Sequence, residues 1–448
     1  MKISFHKELY RLADIFPGKL YAVGGAVRDK LLNFQPHDCD LAGDALPSEV
    51  IAALENSEFS VHVASEKFFT LTIKGEKVYE YTTFRKDSYV SGHCPSAVER
   101  VTDVKEDALR RDFTVNAIYY DPAEDKLVDP LGGARDLKNS LIRATRAPED
   151  VFSEDGLRLM RLARFASSLG FNIDEKTLEA AKNYSYKIEE IAPERIREEL
   201  DRVLIADTYY GKKTAHYDGL LILHEIGVLT KIIPELIDGI GMKQRSDFHK
   251  YDVFGHILHT VLYADKEVRL AALMHDIAKP YCMKTTGRYH GHPDEGVKMA
   301  TAILLRLRYP NSVIRETTRL VKYHMYNLLN DVGENKFREF IVTNEDIIDK
   351  LVKLKYADYY GSGRAIGGDL IAAERFLTTR DTMRKERVAF NVKELLVSGD
   401  DLTEIPALPP EKRGEALRAL LLMQCHENSE LRTREKQLDF LRNYSKRR

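Results

Sequence analysis

The sequence lacks the features of membrane-spanning, secreted and cysteine-rich proteins. No apolar run approaches the roughly 18 residues that a membrane span needs. The N-terminal stretch MKISFHKELYRLADIF has no apolar segment of the roughly 7 to 15 residues that mark a signal peptide. The four cysteines, Cys39, Cys94, Cys282 and Cys425, show no CxxC spacing, which disfavours a disulfide framework and a cysteine zinc site. We therefore expect a cytoplasmic protein with reduced thiols and no membrane partner.

An excess of charge of one sign is also missing. The formal net charge is −2 over 448 residues, so any nucleic-acid partner must be held by local basic surface rather than by global attraction. No self-similarity recurs at a period of about 20 to 50 residues, which argues against a solenoid. The length predicts about three domains.

Secondary-structure patterns divide the chain near residue 150. Before that point, strand-like runs such as KLYAVGG, CDLAG, KVYEYTTF and FTVNAIYY alternate with helical runs, which predicts an α+β sheet domain. From Val151 onward the apolar residues follow helical spacing, as in LRLMRLARFASSLGF. The remaining two-thirds of the chain is therefore expected to be helical.

The stretch YAVGGAVRDKLLNFQPHDCDLAGDALP, residues 21–47, carries the first candidate chemistry. Gly24 and Gly25 are expected to end a strand and open a helix, where free backbone N–H groups and the fork of Arg28 can receive phosphate. A tight turn without a ligand is the alternative. Asp38 and Asp40 lie two apart on a predicted strand, so both carboxylates would point to one face and share a hard cation. Chance acidic pairs of this spacing are common, so the pair alone does not establish a metal site.

The motifs together are far more specific than any one of them. GGAVRD and DCD are followed by RRDFTVNAIYY at 110–120, DPLGGARDL at 129–137, EDGLRLMRLARF at 154–165 and ERIREEL at 194–200. In this order they resemble the class II tRNA nucleotidyltransferase family, which includes the CCA-adding enzymes and is related to bacterial poly(A) polymerases. The resemblance implies a polymerase-β-like α+β nucleotidyltransferase head at 1–146, followed by an all-α neck at 147–235, an HD-type helical body at 236–345 and a helical tail at 346–448.

The resemblance also implies an activity. It is the template-independent addition or repair of the 3′-terminal CCA of tRNA, from CTP and ATP, by two-metal nucleotidyl transfer. Asp38 and Asp40 would hold two Mg²⁺ ions, which stabilise the attacking and leaving oxygens of an in-line displacement. Glu80 lies where the family often has a third carboxylate, although a solvated edge charge is the alternative. The family motif that contacts the nucleotide's ribose and phosphates is matched by Arg111, Asp112 and Asn116.

A second motif is expected to read the base. Asp155 and Arg158 lie three apart in a predicted helix and would share a face, so an intrahelical ion pair is one interpretation. The family motif instead implies that they pair with the Watson–Crick edge. Cytosine and adenine both present an amine donor beside a ring-nitrogen acceptor, which suits one carboxylate and one guanidinium, whereas uracil and guanine present the reverse. Glu154 would orient Arg158. The helix continues with Arg161 and Arg164, which are either phosphate contacts or surface charges.

The family also has a flexible loop that separates CCA-adding from A-only and C-only relatives. In TFRKDSYVSGHCPSAVERV the positions of Tyr89 and Pro95 are kept, whereas Ser91 and His93 replace the usual Asp and Arg. The presence of the loop disfavours A-only addition. The replacements at Ser91 and His93 leave open whether the protein switches from adding C to adding A.

The back half resembles the HD phosphohydrolase superfamily. His256, His275, Asp276 and Asp358 match its four metal-binding positions, and imidazoles with carboxylates suit a divalent transition metal that lowers the pKa of bound water. HD folds also serve as RNA-binding or packing modules, so activity stays open. His292 and His324 are candidates to hold a second ion.

The C-terminal segment supplies candidate contacts to the tRNA backbone, with ordinary solvated charge as the alternative for each. They are Lys436, Lys446, Arg447 and Arg448.

Three other functions stay open from the sequence. They are a poly(A) or partial C-adding or A-adding polymerase, an HD phosphohydrolase whose head only binds RNA, and a noncatalytic RNA-binding factor. The intact residues Asp38, Asp40, Asp155 and Arg158 argue against the second of these. The expected partners are CTP, ATP and the tRNA 3′ end, and the oligomeric state stays open.

Overall fold

The computed structural model describes residues 3–88, 96–244, 247, 249–363, 369–406 and 408–444. The chain divides into two compact units, Met1–Pro234 and Glu235–Arg448. Among the described residues, no helix is both long enough and apolar enough to cross a membrane.

The first unit is built on a mixed sheet. The strands of the chain are β1 Leu20–Val23, β2 Asp40–Gly43, β3 Ser60–Ser65, β4 Thr70–Lys74, β5 Val78–Thr83, β6 Arg85–Ser88, β7 Ala97–Arg100, β8 Tyr119–Asp121, β9 Lys126–Val128, β10 Leu141–Ile142 and β11 Asn172–Ile173. Seven of them form one sheet in the order β3-β4-β5-β2-β1-β8-β9, in which only β2 and β5 pair in parallel. The strands β6 and β7 form a hairpin, and β10 pairs with β11.

Helices surround this sheet and continue beyond it. The helices of the first unit are α1 Lys7–Ile15, α2 Gly25–Leu31, α3 Pro47–Leu54, α4 Val104–Leu109, α5 Gly133–Lys138, α6 Pro148–Glu154, α7 Leu157–Leu169, α8 Glu175–Asn183, α9 Pro193–Leu204, α10 Asp207–Tyr210, α11 Ala215–Glu225 and α12 Val228–Ile232. The long helix α7 packs against α9 and α11. The buried rings of Tyr21, Phe84 and Tyr119 lie in the core between β1, β8 and the hairpin.

The second unit is helical throughout its described part. Its helices are α13 Val253–Tyr263, α14 Arg269–Met274, α15 Lys279–Thr286, α16 His292–Arg306, α17 Asn311–Tyr323, α18 Glu334–Thr343, α19 Ile348–Gly361, α20 Asp369–Lys385, α21 Gly399–Thr403, α22 Pro410–Gln424 and α23 Arg434–Asn443. Helix α13 packs on α19 and α16 packs on α17.

One predicted strand is largely a turn. The run FTVNAIYY was expected to be extended, but Thr114–Asn116 is a 3₁₀ turn and β8 begins only at Tyr119. The cause is Asp112, whose Oδ1 accepts hydrogen bonds from the Phe113 N–H at 2.7 Å and from Asn116 Nδ2 at 3.1 Å. A short polar side chain that bonds nearby groups in this way competes with strand pairing.

Candidate active site

Three carboxylates lie near the start of β2, close enough for the charges of Asp38 and Glu80 to act on Asp40. Asp40 begins β2 and is the direct register partner of Glu80 on the parallel strand β5, and both side chains are exposed. Asp38 lies just before the strand and not on it, which corrects the sequence prediction. The strand starts at Asp40 because its antiparallel partner Val23 is the last residue of β1, after which Gly24 turns the chain into α2 at φ 72°.

The negative charges of Asp38, Asp40 and Glu80 repel one another, and a bound cation would offset this repulsion. Although Asp40 keeps contact with solvent, crowding by protein atoms and then the charge of Asp38 raise its pKa to about 6, and Glu80 adds to the rise while Arg111 opposes it. Oxygen ligands of this kind are those that Mg²⁺ prefers. The residues therefore fit the divalent ion that the sequence predicted.

The glycine turn lies beside Arg111. A Cβ atom built on Gly24 would come 3.6 Å from Arg111 Nη1, and its positive φ would strain any side chain. The Gly24 N–H donates to the Ile118 carbonyl at 3.2 Å, so this group is already used. Gly25 begins α2, and its contact with phosphate stays a prediction.

Asp107, which the sequence analysis did not identify, fixes Arg111. This fully buried carboxylate accepts hydrogen bonds from Arg110 Nε at 2.8 Å, Arg111 Nη2 at 3.2 Å and the Tyr119 hydroxyl at 2.6 Å. Burial opposes its charge, but the two arginines and the hydroxyl lower the pKa of Asp107 to about 2. Its spacing of four residues from Arg111 was a usable signal, because residues i and i+4 of a helix share a face.

Four of the predicted nucleotide-binding residues form one largely buried chain of hydrogen bonds. Arg28 Nη1 donates to Asn116 Oδ1 at 2.5 Å, Asn116 Nδ2 donates to Asp112 Oδ1, and Arg161 Nε donates to Asp112 Oδ2 at 2.7 Å. Burial opposes the charge of Asp112, but Arg161, Asn116 and the Phe113 N–H hold its pKa below the usual range. The chain links the head helix α2 to α7.

The two residues predicted to read the base do not lie in one helix, in contrast to the sequence prediction. Asp155 is extended (φ −144°, ψ 102°) between α6 and α7, and its Oδ1 accepts the Leu157 N–H at 2.9 Å at the start of α7. Gly156 follows with helical backbone angles, and it must lack a side chain because a Cβ there would lie 2.2 Å from the Lys187 carbonyl oxygen. A single turn therefore presents Asp155 immediately before the helix that carries Arg158.

Arg158 is held firmly in place. Its Nη1 donates to the Val151 carbonyl at 3.0 Å and lies 3.4 Å from Glu154 Oε2, and its Nη2 donates to the Arg110 carbonyl at 2.7 Å. Glu154 also pairs with Arg146. These contacts suit the predicted task of Glu154, which is to orient Arg158.

The other described basic residues that the sequence singled out, Arg164 and Lys436, both lie close to a glutamate. Arg164 is largely buried, donates from Nε to Glu199 Oε2 at 2.7 Å and lies 4.1 Å from the ring centre of Phe165, so it is not a solvated surface charge. Lys436 lies 3.3 Å from Glu430. The predicted loop and tail positions Tyr89, Ser91, His93, Pro95, Lys446, Arg447 and Arg448 lie outside the described residues.

A separate cluster in the second unit gathers the predicted HD residues. His256 on α13 places Nε2 3.2 Å from His275 Nε2, 3.3 Å from Asp276 Oδ2 and 3.1 Å from Asp358 Oδ1. On the other side of Asp276, Oδ1 lies 3.2 Å from His292 Nε2 and 3.6 Å from His324 Nε2. Asp276 therefore belongs to two groups that could each hold a metal ion.

Hydrogen bonding fixes which imidazole nitrogens face each other. The Nδ1 atoms of His275, His292 and His324 lie 2.7, 2.8 and 2.6 Å from backbone carbonyl oxygens. A carbonyl only accepts, so each Nδ1 carries a proton, and the neutral form of each ring has its lone pair on Nε2. The Nε2 atoms of His292 and His324 are 3.2 Å apart, so two acceptors meet with no donor between them.

A cation bound between His292 Nε2 and His324 Nε2 would accept both lone pairs and remove the repulsion between these two acceptors. Burial lowers the pKa of His324 to about 4, which keeps its lone pair available near neutral pH. For His275, burial opposes protonation, but Asp276 and Asp358 outweigh it and raise the pKa to about 10. The nitrogen and oxygen donors of the cluster fit a divalent transition metal. It borders a cavity of about 300 Å³ that Lys279 and Tyr289 also line.

Three family models match the chain in sequence order. Residues 20–143 match the poly(A) polymerase head domain, 170–239 match the probable RNA- and SrmB-binding site of polymerase A, and 253–362 match the HD domain. The predicted fold, with a polymerase-β-like head, a helical neck and an HD body, is confirmed. The exact domain boundaries stay a prediction.

Relatives and solved structures agree with these models. The chain is 32% identical over 431 residues to the A-adding tRNA nucleotidyltransferase of Deinococcus radiodurans, covering 90% of this chain and 91% of that one. It is 42% identical over 187 residues to the CCA-adding enzyme of Streptococcus thermophilus, covering 42% of this chain and 46% of that enzyme. The fold is similar to that of the Bacillus stearothermophilus CCA-adding enzyme in complex with CTP, with a TM-score of 0.66, 24% identity and coverage of 98% and 97% of the two chains.

Proposed function

Because the chain belongs to the class II tRNA nucleotidyltransferase family, we propose that it adds or repairs the 3′-terminal CCA of tRNA, using CTP and ATP. The observation that carries this proposal is the register pair of Asp40 and Glu80, with Asp38 beside it, in the same unit as the turn that holds Asp155. The proposal is supported because the residues expected to bind metal and those expected to read the base belong to one compact unit. An enzyme that processes tRNA 3′ ends is expected to act in the cytoplasm.

Each group of residues has a chemical task in this proposal. Asp38, Asp40 and Glu80 would hold Mg²⁺, which when bound neutralises the triphosphate and favours attack by the RNA 3′-hydroxyl. Arg111, which Asp107 holds beside the glycine turn, offers donors to the phosphates.

The base is selected by donors and acceptors. Asp155 accepts from the exocyclic amine of cytosine or adenine, and Arg158 donates to the neighbouring ring nitrogen. With uracil or guanine, an acceptor would face an acceptor and a donor would face a donor, and each polar group would lose water without gaining a partner. The same two side chains thus admit both required bases.

A second outcome, addition of A alone, is favoured by one observation. The relative that matches over 90% of the chain is named an A-adding enzyme, whereas the match to the Streptococcus thermophilus CCA-adding enzyme covers 42%. The two outcomes are separated by incubating the protein with tRNAs that lack CCA, CA or only the final A, with each nucleotide supplied separately, and by sequencing the ends. Full CCA addition predicts growth of all three substrates, whereas A addition alone predicts growth only of tRNA that ends in CC.

The second unit supports a further candidate activity, metal-dependent phosphohydrolysis. The observation that favours it is the convergence of imidazole lone pairs on Asp276, which places metal-binding groups at a cavity. A metal-bound water is the nucleophile that such a centre supplies to a phosphoester. Hydrolysis of 2′,3′-cyclic phosphates with added Ni²⁺, Co²⁺ or Mn²⁺ tests this, and no turnover with any of the three metals would leave the unit as an RNA-binding or packing module.

A further inference from the structure

Tyr210 joins the neck to the head at the nucleotide-binding residues. It is the last residue of α10, and its hydroxyl lies between two side chains of the head helix α2. The hydroxyl accepts from Arg28 Nη2 at 2.5 Å and donates to Asp29 Oδ1 at 2.8 Å. Burial raises the pKa of Tyr210 to about 12, so this group keeps its proton and can serve both partners at neutral pH.

Aromatic rings from two helices of the neck, α7 and α10, also contact Arg28. The Arg28 guanidinium carbon lies 5.1 Å from the ring centre of Phe165 on α7 and 5.7 Å from that of Tyr210. The Tyr210 ring also packs edge-on against Phe34 at 5.1 Å. Arg28 is only 5% exposed, so its orientation is set not by solvent but by these rings, the Tyr210 hydroxyl and the side chains of Asn116 and Asp29.

The contacts of Tyr210 extend the buried chain of hydrogen bonds to a second point on the neck. From Arg28 the chain continues through Asn116 and Asp112 to Arg161 on α7. It therefore begins on α10, crosses three predicted nucleotide-binding residues of the head, and ends on the helix that follows the base-reading turn. An incoming nucleotide would need its base at that turn and its sugar and phosphates at the head.

We propose that Tyr210 is a positioning residue for nucleotidyl transfer, which fixes Arg28 and, through Asn116 and Asp112, aligns the sugar-phosphate side of the nucleotide with the base-reading turn. This inference rests on the proposed function of the head. Misplacement of a reacting group by about 1 Å can cost on the order of 100-fold in rate, so loss of one orienting hydroxyl is expected to act on turnover.

The decisive variant is Tyr210→Phe, which keeps the ring contacts with Arg28 and Phe34 and removes only the hydroxyl. We expect kcat to fall by about 10-fold or more for the nucleotide that the wild type adds, CTP on tRNA lacking CCA or ATP on tRNA ending in CC, because the hydrogen bond to the charged guanidinium is lost. The KM for tRNA should stay within about twofold, since Tyr210 is engaged by the head. Tyr209→Phe is the matched control, because the neighbouring Tyr209 is 37% exposed and should behave like the wild type.

A double variant separates positioning from general stability. If the hydrogen-bond chain acts as a unit, Asn116→Ala should cost much less in the Tyr210→Phe background than in the wild type, whereas independent effects would multiply. Multiplicative losses, or a Tyr210→Phe kcat within about twofold of the wild type, would overturn the positioning role while CCA addition by the wild type stands. A wild type that adds no nucleotide to any tRNA end would overturn both this inference and the proposed function.

Discussion

Replacing Asp155 tests whether the base is read where the geometry suggests. In the Asp155→Ala variant the carboxylate that would accept from the amine of cytosine is gone, and the carbonyl of uracil no longer faces a like group. A hydrogen-bond mismatch in such a site is worth on the order of 1 to 3 kcal/mol, and about 1.4 kcal/mol corresponds to a factor of ten. We therefore expect the preference for CTP over UTP to fall by roughly ten-fold or more.

The structure adds a complication and its control. Asp155 also closes the turn before α7 by accepting the Leu157 N–H, so the alanine variant loses about 1 kcal/mol from this hydrogen bond as well as the base contact. Asp155→Ser keeps an oxygen that can accept from Leu157 but presents no carboxylate to the base. Both variants should lose base selectivity to a similar degree, whereas only Asp155→Ala should melt earlier.

The assay is the ratio of kcat/KM for CTP to that for UTP on tRNA lacking CCA, with thermal unfolding measured alongside. Arg158→Ala is a less clean probe, because it strands the carbonyls of Val151 and Arg110 as well as removing the guanidinium. If Asp155→Ala and Asp155→Ser both leave the ratio of kcat/KM for CTP to that for UTP unchanged, Asp155 serves only to close the turn before α7. The base must then be read elsewhere.

Three more predictions concern the remaining charged groups. Asp40→Asn should abolish nucleotide addition while folding and tRNA binding persist, and substantial Mg²⁺-dependent incorporation by the folded variant would exclude the metal role. His275→Ala should remove any metal-dependent hydrolysis of cyclic phosphates but spare nucleotide addition, since the two sites lie in separate units. Asp107→Asn should destabilise the first unit by about 2 kcal/mol in urea unfolding at pH 7. Because the folded pKa of Asp107, about 2, lies below its ordinary value, this difference is complete above about pH 4 and should vanish as the pH falls through 2.

Local spacing was enough to find the candidate carboxylates but not their arrangement. Asp38 and Asp40 stand out in the sequence, whereas the pairing of Asp40 with Glu80 depends on the register of β2 against β5, two strands that are not neighbours in sequence. The predicted strand also started too early, because strand length is set by the partner, and β1 ends where Gly24 turns. The family resemblance predicted the place of Glu80, and the register supplies the physical reason for it.

The helix break at the base-reading turn shows a second limit. The pattern EDGLRLMRLARF follows helical spacing, and a single glycine inside such a pattern is often tolerated. Here Gly156 meets the Lys187 backbone, a contact made by a segment about 30 residues further along the chain. Only the folded neck reveals this contact and the start of a new helix at Leu157.

The buried polar partners were the least predictable part of the site. Arg28 is paired with Asn116 and Tyr210, which lie far from it in sequence, and no periodicity links such residues. Their burial nevertheless has a consistent cause. A guanidinium removed from water must keep its donors satisfied, and the head alone does not enclose it, so the neck supplies Tyr210 and Phe165.

The same reasoning explains why the two candidate sites are built differently. The head displays its carboxylates on an exposed sheet face, where a hydrated ion and a long triphosphate need room. The HD cluster instead buries its imidazoles, and backbone carbonyls hold the Nδ1 atoms of His275, His292 and His324, so that their Nε2 atoms are left to face a metal. Hard, water-keeping Mg²⁺ suits the open site, whereas a softer transition metal suits the enclosed one. The difference in burial therefore argues that the two units select different ions.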